Sequence, residues 1–320
     1  MNVNLRKELQ ESLGISENQL NRLFLRSPHT YKKYTIPKKN GGVREIAQPA
    51  KETKFIQHWL IKNVFQTLPI HELAMAYQDG SSIKRNATAH KDNNYLVKLD
   101  FKNFFTSIKA VDLVSHFSKH FQVKLTDEDI KDIARISCIK KKGSDVLCLS
   151  IGAPSSPILS NTIMFEFDCK VFEWCKEHGI IYTIYADDLT FSTNKRGISI
   201  KIEPAIREIV SKLKYPRLTF NNTKTTHLSK KHQRRITGLI INNEGSISLG
   251  RERKREISTL IHRFSLRLLS DTDVFTLQGL LGFAKDVEPL FLSRMRDKYG
   301  TALIDELIKK RKPENYISNK

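Results

Sequence analysis

Ile180-Ile-Tyr-Thr-Ile-Tyr-Ala-Asp-Asp-Leu-Thr-Phe-Ser192 sets two adjacent acids between two apolar, β-rich runs. Ile180–Tyr185 and Leu189–Ser192 read as strands, and the short Ala-Asp-Asp join makes them a hairpin. Adjacent aspartates at a turn have an ordinary explanation, because Asp hydrogen-bonds its own backbone there. The flanks argue against it. Apolar and aromatic residues on both sides imply a buried hairpin, where two unpaired carboxylates repel each other and are costly to desolvate. A divalent cation resolves that conflict, since Mg²⁺ prefers hard oxygen ligands and sits between a few carboxylates and substrate phosphates.

Upstream, Tyr95-Leu-Val-Lys-Leu-Asp100 is an alternating strand that ends on a third acid. A strand ending beside the hairpin can bring its acid to the same place. Asp100, Asp187 and Asp188 could then hold two metal ions about 3.5–4 Å apart, an arrangement that activates an attacking hydroxyl and stabilises a leaving pyrophosphate. These three carboxylates are the candidate catalytic and metal-binding residues.

The rest of the chain carries the opposite sign. Its 320 residues include 54 Lys and Arg against 34 Asp and Glu, a net of +20. Such an excess repels itself in the compact state, and the usual compensating partner is a polyanion such as nucleic acid. A membrane is the other anionic surface. There is, however, no run of 18 apolar residues and no lipidation signal at either end. The N-terminal MNVNLRKELQESLG reads as a polar amphipathic helix, not a signal peptide, so a cytoplasmic location without membrane is expected. Cys138, Cys148, Cys169 and Cys175 form no CxxC pair and lie in apolar contexts, as buried reduced thiols would.

The length and the 39% hydrophobic content allow about two domains, or one large domain with subdomains. Residues 1–30 show helical spacing, residues 31–49 two β-like runs around Lys-Lys-Asn-Gly-Gly, and residues 51–68 helical spacing again. Helices are expected over 110–140, the second opened by a capping signal at Thr126. From about residue 202 a helix leads into a strand near Arg217–Asn221. Two further strands follow at Arg235–Ile241 and Ser246–Leu249, joined by Asn-Asn-Glu-Gly. Arg251–Leu269, Thr276–Ala284 and Leu290–Lys310 read as basic helices. The class is α+β, with a helical C-terminal part.

Tyr185-Ala-Asp-Asp188 resembles the signature hairpin of reverse transcriptases, and Asp100 in Val97-Lys-Leu-Asp-Phe-Lys-Asn-Phe-Phe105 resembles their first catalytic acid. The resemblance runs from about Tyr31 to about Ile241. Gly152-Ala-Pro-Ser-Ser-Pro-Ile-Leu-Ser-Asn161 is similar to the loop and helix that contact template and nucleotide, and Ile36-Pro-Lys-Lys-Asn-Gly-Gly-Val-Arg44 to the fingers hairpin. It implies a right-hand polymerase with fingers, a palm of antiparallel sheet plus helices, and a helical thumb. Fingers and palm would span 1–240, and a basic helical thumb that binds RNA would span 241–320.

The same resemblance implies roles for further residues. Arg44 with Lys38 or Lys39 would clamp the incoming triphosphate, the guanidinium as a planar fork and the ammonium as a point charge. Gly152 and Ala153 would line the nucleotide, and Phe105 would exclude a ribose 2′-hydroxyl, which makes dNTPs the substrates. Lys224, in Asn221-Asn-Thr-Lys-Thr, would approach the pyrophosphate. A solvated basic turn, core packing of Phe104 and Phe105, and a surface lysine are the competing readings. One departure from the family pattern is Ile151, where many reverse transcriptases carry a nucleotide-contacting Gln.

Asn86-Ala-Thr-Ala-His90 matches an Asn-Ala-x-x-His element of retron reverse transcriptases, and Arg235-Ile-Thr-Gly238 resembles their Val-Thr-Gly element. Ile for Val is mild, since both are β-branched. A helix cap beside an ordinary histidine is the bland alternative for the first. The retron resemblance implies priming from an internal guanosine 2′-hydroxyl of a cognate structured noncoding RNA. The product would be branched msDNA, and the system would act in anti-phage defence with an effector protein. Candidate RNA contacts are Asn86, His90, Thr237, Gly238, Arg251 and Arg255, with Arg253, Lys254, Arg263 and Arg267 nearby on the basic helices. Such contacts would be salt-sensitive. Alternatives are an intron or diversity-generating reverse transcriptase, a non-catalytic RNA-binding relative, and a DNA-binding regulator, for which no helix-turn-helix is evident.

Overall fold

The alternating strand and the acidic hairpin form neighbouring strands of one sheet, and the helices around them bury its apolar residues. The computed structural model describes residues 5–38, 41–121 and 125–311; Lys39 lies outside these residues.

Helices α1 (Leu5–Leu13) and α2 (Glu17–Arg26) open the chain, the second behind a Ser16–Gln19 capping box. Strands β1 (Tyr31–Pro37) and β2 (Val43–Pro49) pair antiparallel from Tyr31↔Pro49 to Pro37↔Val43, as the Gly-Gly turn implied. Next come α3 (Lys51–Asn63) and α4 (Ile83–Ala89), the latter capped by Ser82. Strand β3 (Tyr95–Asp100) is followed by the short α5 (Phe104–Ser107), then α6 (Ala110–His120) and α7 (Asp127–Ile136), with Thr126 and Asp129 in the expected capping box. A small hairpin, β4 (Ile139–Lys140) with β5 (Leu147–Cys148), precedes α8 (Ser156–Ile163) and α9 (Phe165–His178).

Strands β6 (Ile181–Tyr185) and β7 (Asp188–Thr193) are the acidic hairpin. Helix α10 (Ser199–Ser211) and strand β8 (Thr226–Ser229) follow. The sheet runs β6-β7-β3-β8, with β7 antiparallel to both β6 and β3. Strands β9 (Arg234–Ile236), β10 (Leu239–Ile241) and β11 (Ile247–Ser248) make a second, three-stranded sheet. Helices α11 (Arg251–Ser265), α12 (Asp271–Val287), α13 (Pro289–Tyr299) and α14 (Thr301–Lys309) close the described chain. No helix among the described residues is long and apolar enough to cross a membrane.

Packing divides the described residues into two compact units. One runs to Ser81 and resumes over Asn93–His227; the other joins Ser82–Asp92 to the residues from Leu228 onward. In the second unit, α4 packs against β9 and β10.

Three local expectations change. Arg217–Asn221 is not a regular strand; Phe220 alone bridges, to Phe101, flanked by bonds from the Lys102 amide to the Thr219 carbonyl and from the Asn221 amide to the Asp100 carbonyl, both 2.8 Å. Arg235–Ile241 bends back on itself at Thr237-Gly238, whose φ values of 45° and 88° make a two-residue type I′ hairpin turn. Leu290–Lys310 breaks at Gly300, whose φ of 88° no helix accommodates.

Candidate active site

The register of the first sheet decides where the acids stand. Leu99 faces Leu189 and Asp100 faces Asp188 across β3 and β7, while Tyr185 faces Asp188 across the hairpin. Asp188 is therefore the first residue of a strand, and the turn proper is only Ala186-Asp187. Positive φ occurs at Ala186 (57°) but not at Asp187, the pattern of a type II′ turn, in which Gly is usual at the first central position. An alanine there stores about 1–2 kcal/mol of strain. Strain of this kind persists where the surroundings over-determine the conformation, as they do at functional sites.

Two features hold the tip against β3. The Phe101 amide donates to the Asp187 carbonyl at 3.1 Å. Behind it, the Phe101 ring stacks on Phe104 (5.7 Å) and Phe220 (4.9 Å) and meets Phe167 edge-on (5.9 Å). Aromatic pairs of this geometry contribute about 0.5–1.5 kcal/mol each beyond their burial. The strand end that carries Asp100 is thus anchored in the core.

Burial, reinforced by the charges of Asp187 and Asp100, pushes the Asp188 carboxyl up to about 6 against the opposing pull of Lys98. Asp187 is raised by burial and by Asp100, with Lys224 and Arg44 opposing. Asp100 is 4% exposed, and Lys224 Nζ donates to its Oδ2 at 2.7 Å. Asp187 and Asp188 resist ionisation and Asp100 has already drawn in a lysine, which makes this a site short of positive charge.

Among the described residues, no group of three or more His, Cys, Asp or Glu forms a ready-made metal cage. The donor set nevertheless suits a hard divalent cation: it is all oxygen and anionic. Mg²⁺ commonly binds through one or two carboxylates plus water and substrate phosphates, and seldom in an all-protein cage.

Of the other sequence candidates, Lys224 bonds to Asp100 and Arg44 acts on Asp187, while the rest are placed by the elements that carry them. Arg44, exposed on β2, acts electrostatically on Asp187. Lys38 is exposed at the end of β1, its amide bonded to the Gly42 carbonyl at 3.0 Å. Phe104 is 3% exposed in the core, while Phe105 is half-buried, so the neighbouring rings divide between core and surface. Gly152 has φ 114°, and a Cβ there would meet Ile46 Cγ2 at 2.8 Å and the Ala47 carbonyl at 3.0 Å. The loop is stapled to β2: the Ala47 amide donates to the Ile151 carbonyl at 2.8 Å, and Ser150 Oγ donates to the Ala47 carbonyl at 3.3 Å. These contacts use the backbone of Ile151, which leaves its partly exposed side chain out of the joint. Ala153 is buried beside it.

The second unit sorts the remaining candidates. Asn86 (0% exposed) and His90 (1%) are buried, and burial pushes the His90 imidazole down to about 3. Neither side chain is available to an RNA in this conformation. Both are interior residues of the α4 segment. Thr237 and Gly238 form the β9–β10 turn, where Thr237 Oγ1 donates to the Ile83 carbonyl at 3.4 Å. Lys254 is paired with Glu288 at 2.6 Å, Arg267 with Glu306, and Arg253 covers the Phe283 ring at 5.3 Å. Arg251 and Arg255 remain exposed, without an ion pair among the described residues.

Sequence reasoning passed over Tyr77, Ser150 and the buried Gln57, which donates to the Ile136 carbonyl at 2.8 Å and accepts from the Ser155 amide at 3.4 Å. Nothing in their local sequence signalled these contacts, which are long-range.

Comparison with known proteins agrees with this geometry. Residues 36–241 match the family model described as reverse transcriptase (RNA-dependent DNA polymerase). The chain is similar to the Retron Ec83 reverse transcriptase of Escherichia coli, at 40% identity over 87% of this chain and 90% of that protein. It is also similar to the Retron Ec73 (33%; 86% and 89%) and Retron Ec86 (29%; 92% and 90%) reverse transcriptases of the same organism. With an acid pair in register across the central strands, a family match over most of the chain and a 40% identical relative, this chain belongs to the retron reverse transcriptases, RNA-directed DNA polymerases of right-hand fold.

Proposed function

We propose that this polymerase copies part of a cognate structured noncoding RNA into branched msDNA, priming from an internal guanosine 2′-hydroxyl of that RNA. The register of Asp100 with Asp188, which sets two carboxylates side by side with Asp187 next to them at the turn, carries the polymerase part of this reading. The similarity to proteins named as retron reverse transcriptases supports it.

Asp100, Asp187 and Asp188 are the proposed ligands of two Mg²⁺ ions. When bound, such ions supply charge stabilisation for the attacking hydroxyl and the leaving pyrophosphate. The chain's own groups do the rest. Arg44 and Lys38 grip the triphosphate of the incoming dNTP. Gly152 and Ala153 let the β2-stapled loop lie close to the nucleotide, and Phe105 occupies the space a ribose 2′-hydroxyl would need. Lys224 exchanges Asp100 for the departing pyrophosphate.

Fingers and palm extend to about residue 240, and residues from 241 form the basic thumb. Thr237, Gly238, Arg251 and Arg255 are proposed RNA contacts, with Asn86 and His90 supporting them from inside. The setting is cytoplasmic anti-phage defence, with an effector protein as partner.

Sequencing the nucleic acid that copurifies from the native host tests the reading. A short DNA joined to RNA by a 2′,5′ branch is expected, and its absence would falsify the retron priming step. Asp187→Asn should abolish DNA synthesis while RNA binding persists; retained synthesis would remove the metal assignment.

A further inference from the structure

Tyr77 has an improbable conformation for an aromatic residue. Its φ is 61°, in the left-handed region, yet the residue is 48% exposed instead of being fixed by core packing. The backbone holds it there. Ala74 bridges Ile184 in parallel fashion, the Met75 amide donates to the Ile184 carbonyl at 2.7 Å, and the Ile184 amide donates to the Leu73 carbonyl at 3.1 Å. This segment thus lines the outer edge of β6. On either side of Tyr77 the chain is pinned: Asn161 Nδ2 donates to the Ala76 carbonyl at 2.7 Å, and Gln78 Nε2 donates to the Ala74 and His71 carbonyls at 3.3 and 3.4 Å. Asn161 is itself buried.

Tyr77 stands two residues beyond the bond to Ile184, and Tyr185 next to Ile184 starts the acidic turn. The bridge and bonds to Ile184 place Tyr77 beside the acidic turn, and burial, then the charges of Asp187 and Tyr185, raise its hydroxyl, with Arg44 opposing. A rigidly presented, half-exposed aromatic beside a polymerising centre has one evident use. Bases stack on such rings whatever their sequence.

We propose that Tyr77 is a substrate-binding residue that stacks on the template strand at the nascent base pair. The choice of template rests on the proposed function above and on sheet order. Asp100, Phe105 and Lys224 all belong to the β3 side of the tip, where that reading puts the incoming nucleotide, whereas Tyr77 stands on the opposite edge, along β6. The pairing base lies across from the nucleotide, toward that edge.

The test uses the full chain and a primed RNA template of defined sequence. Affinity for primer–template is measured by fluorescence anisotropy, and the dNTP KM by extension. Tyr77→Ala should weaken primer–template binding roughly tenfold, with the dNTP KM unchanged. Tyr77→Phe should bind like the wild type, because the ring is kept. Tyr77→Gly, which relieves the positive φ, should melt no lower than the wild type yet show the same binding loss, which separates recognition from folding. Wild-type affinity in Tyr77→Ala overturns the inference, as does a defect confined to the dNTP KM. A wild type that fails to extend any primed template overturns the proposed function instead.

Discussion

Lys224 holds its ammonium nitrogen 2.7 Å from Oδ2 of Asp100, whose side chain is only 6% exposed. The two residues are 124 positions apart and meet because β3 is bordered by the chain leading into β8. A lysine on one acid of a crowded anionic cluster acts as a resident counter-charge. It also competes with any metal for that oxygen.

Removing this charge should have two opposite effects. Lys224→Met leaves three carboxylates with less neutralisation, so the metal-free protein should melt lower and saturate at lower Mg²⁺. The maximal rate of DNA synthesis should fall about a hundredfold, since a donor aimed at developing negative charge is lost. Mg²⁺ titrations of melting temperature and of rate, on one preparation, check both. An unchanged Mg²⁺ midpoint would mean that Lys224 does not compete at Asp100.

The acids also dictate a pH dependence. The Asp188 carboxyl stands near 6, above the ordinary 3.8. A carboxyl raised by folding contributes stability that is complete below its unfolded value and lost as pH rises through its folded value. Without metal, the stability due to Asp188 should therefore decline between about pH 4 and pH 6. Added Mg²⁺ should raise the melting temperature well above pH 6 and do less near pH 5, where a proton holds the Asp188 carboxyl. Asp188→Asn should flatten this part of the profile, and melting curves of the two proteins with and without Mg²⁺ decide it. Synthesis should likewise fall as the pH drops through about 6.

Much of this site was legible because its elements are local. The period-two runs around Asp187 and before Asp100, the Gly-Gly turn of β1–β2 and the Thr126 cap each carry their signal within a few residues. What escaped was conformation without composition. Ala186, Tyr77 and Thr237 all have positive φ, yet none is the glycine or asparagine that would announce it. Hence the observed turn at Ala186 is one residue shorter than the Ala-Asp-Asp join implies, and Thr237 bends a run whose composition implies a straight strand. Burial of Asn86 and His90 was hidden for another reason. A polar side chain is taken into the interior by partners that lie far off in sequence.

Gly152 tests how closely the nucleotide loop must approach the fingers. Gly152→Ala puts a Cβ 2.8 Å from Ile46 Cγ2 and 3.0 Å from the Ala47 carbonyl, at a φ of 114°. That carbonyl cannot simply retreat, because Ala47 is bonded to both Ile151 and Ser150. Overpacking and strain together should cost about 1–3 kcal/mol. Since β2 also carries Arg44, the dNTP KM should rise more than primer–template affinity falls. Urea melts and steady-state kinetics give the two numbers; a variant as stable as the wild type would show that β2 moves freely away from the loop.

Away from the site, Asp168 makes a prediction of its own. Its carboxyl is fully buried on α9, where Oδ1 accepts from the Tyr182 hydroxyl at 2.7 Å and Oδ2 has no hydrogen-bond partner among the described residues. Burial pushes it up to about 8, despite the Tyr182 bond, so it is largely protonated at neutral pH. Its contribution to stability is complete below about pH 4 and is lost as pH rises through about 8. Asp168→Asn keeps the shape and the acceptor but cannot ionise. It should match the wild type near pH 5 and melt higher above pH 8. Asp168→Leu instead strands the buried Tyr182 hydroxyl and should cost about 1–3 kcal/mol at every pH. Parallel pH curves for the wild type and Asp168→Asn across this range would mean that the carboxyl keeps one charge state throughout, and that the unpaired Oδ2 is solvated in solution.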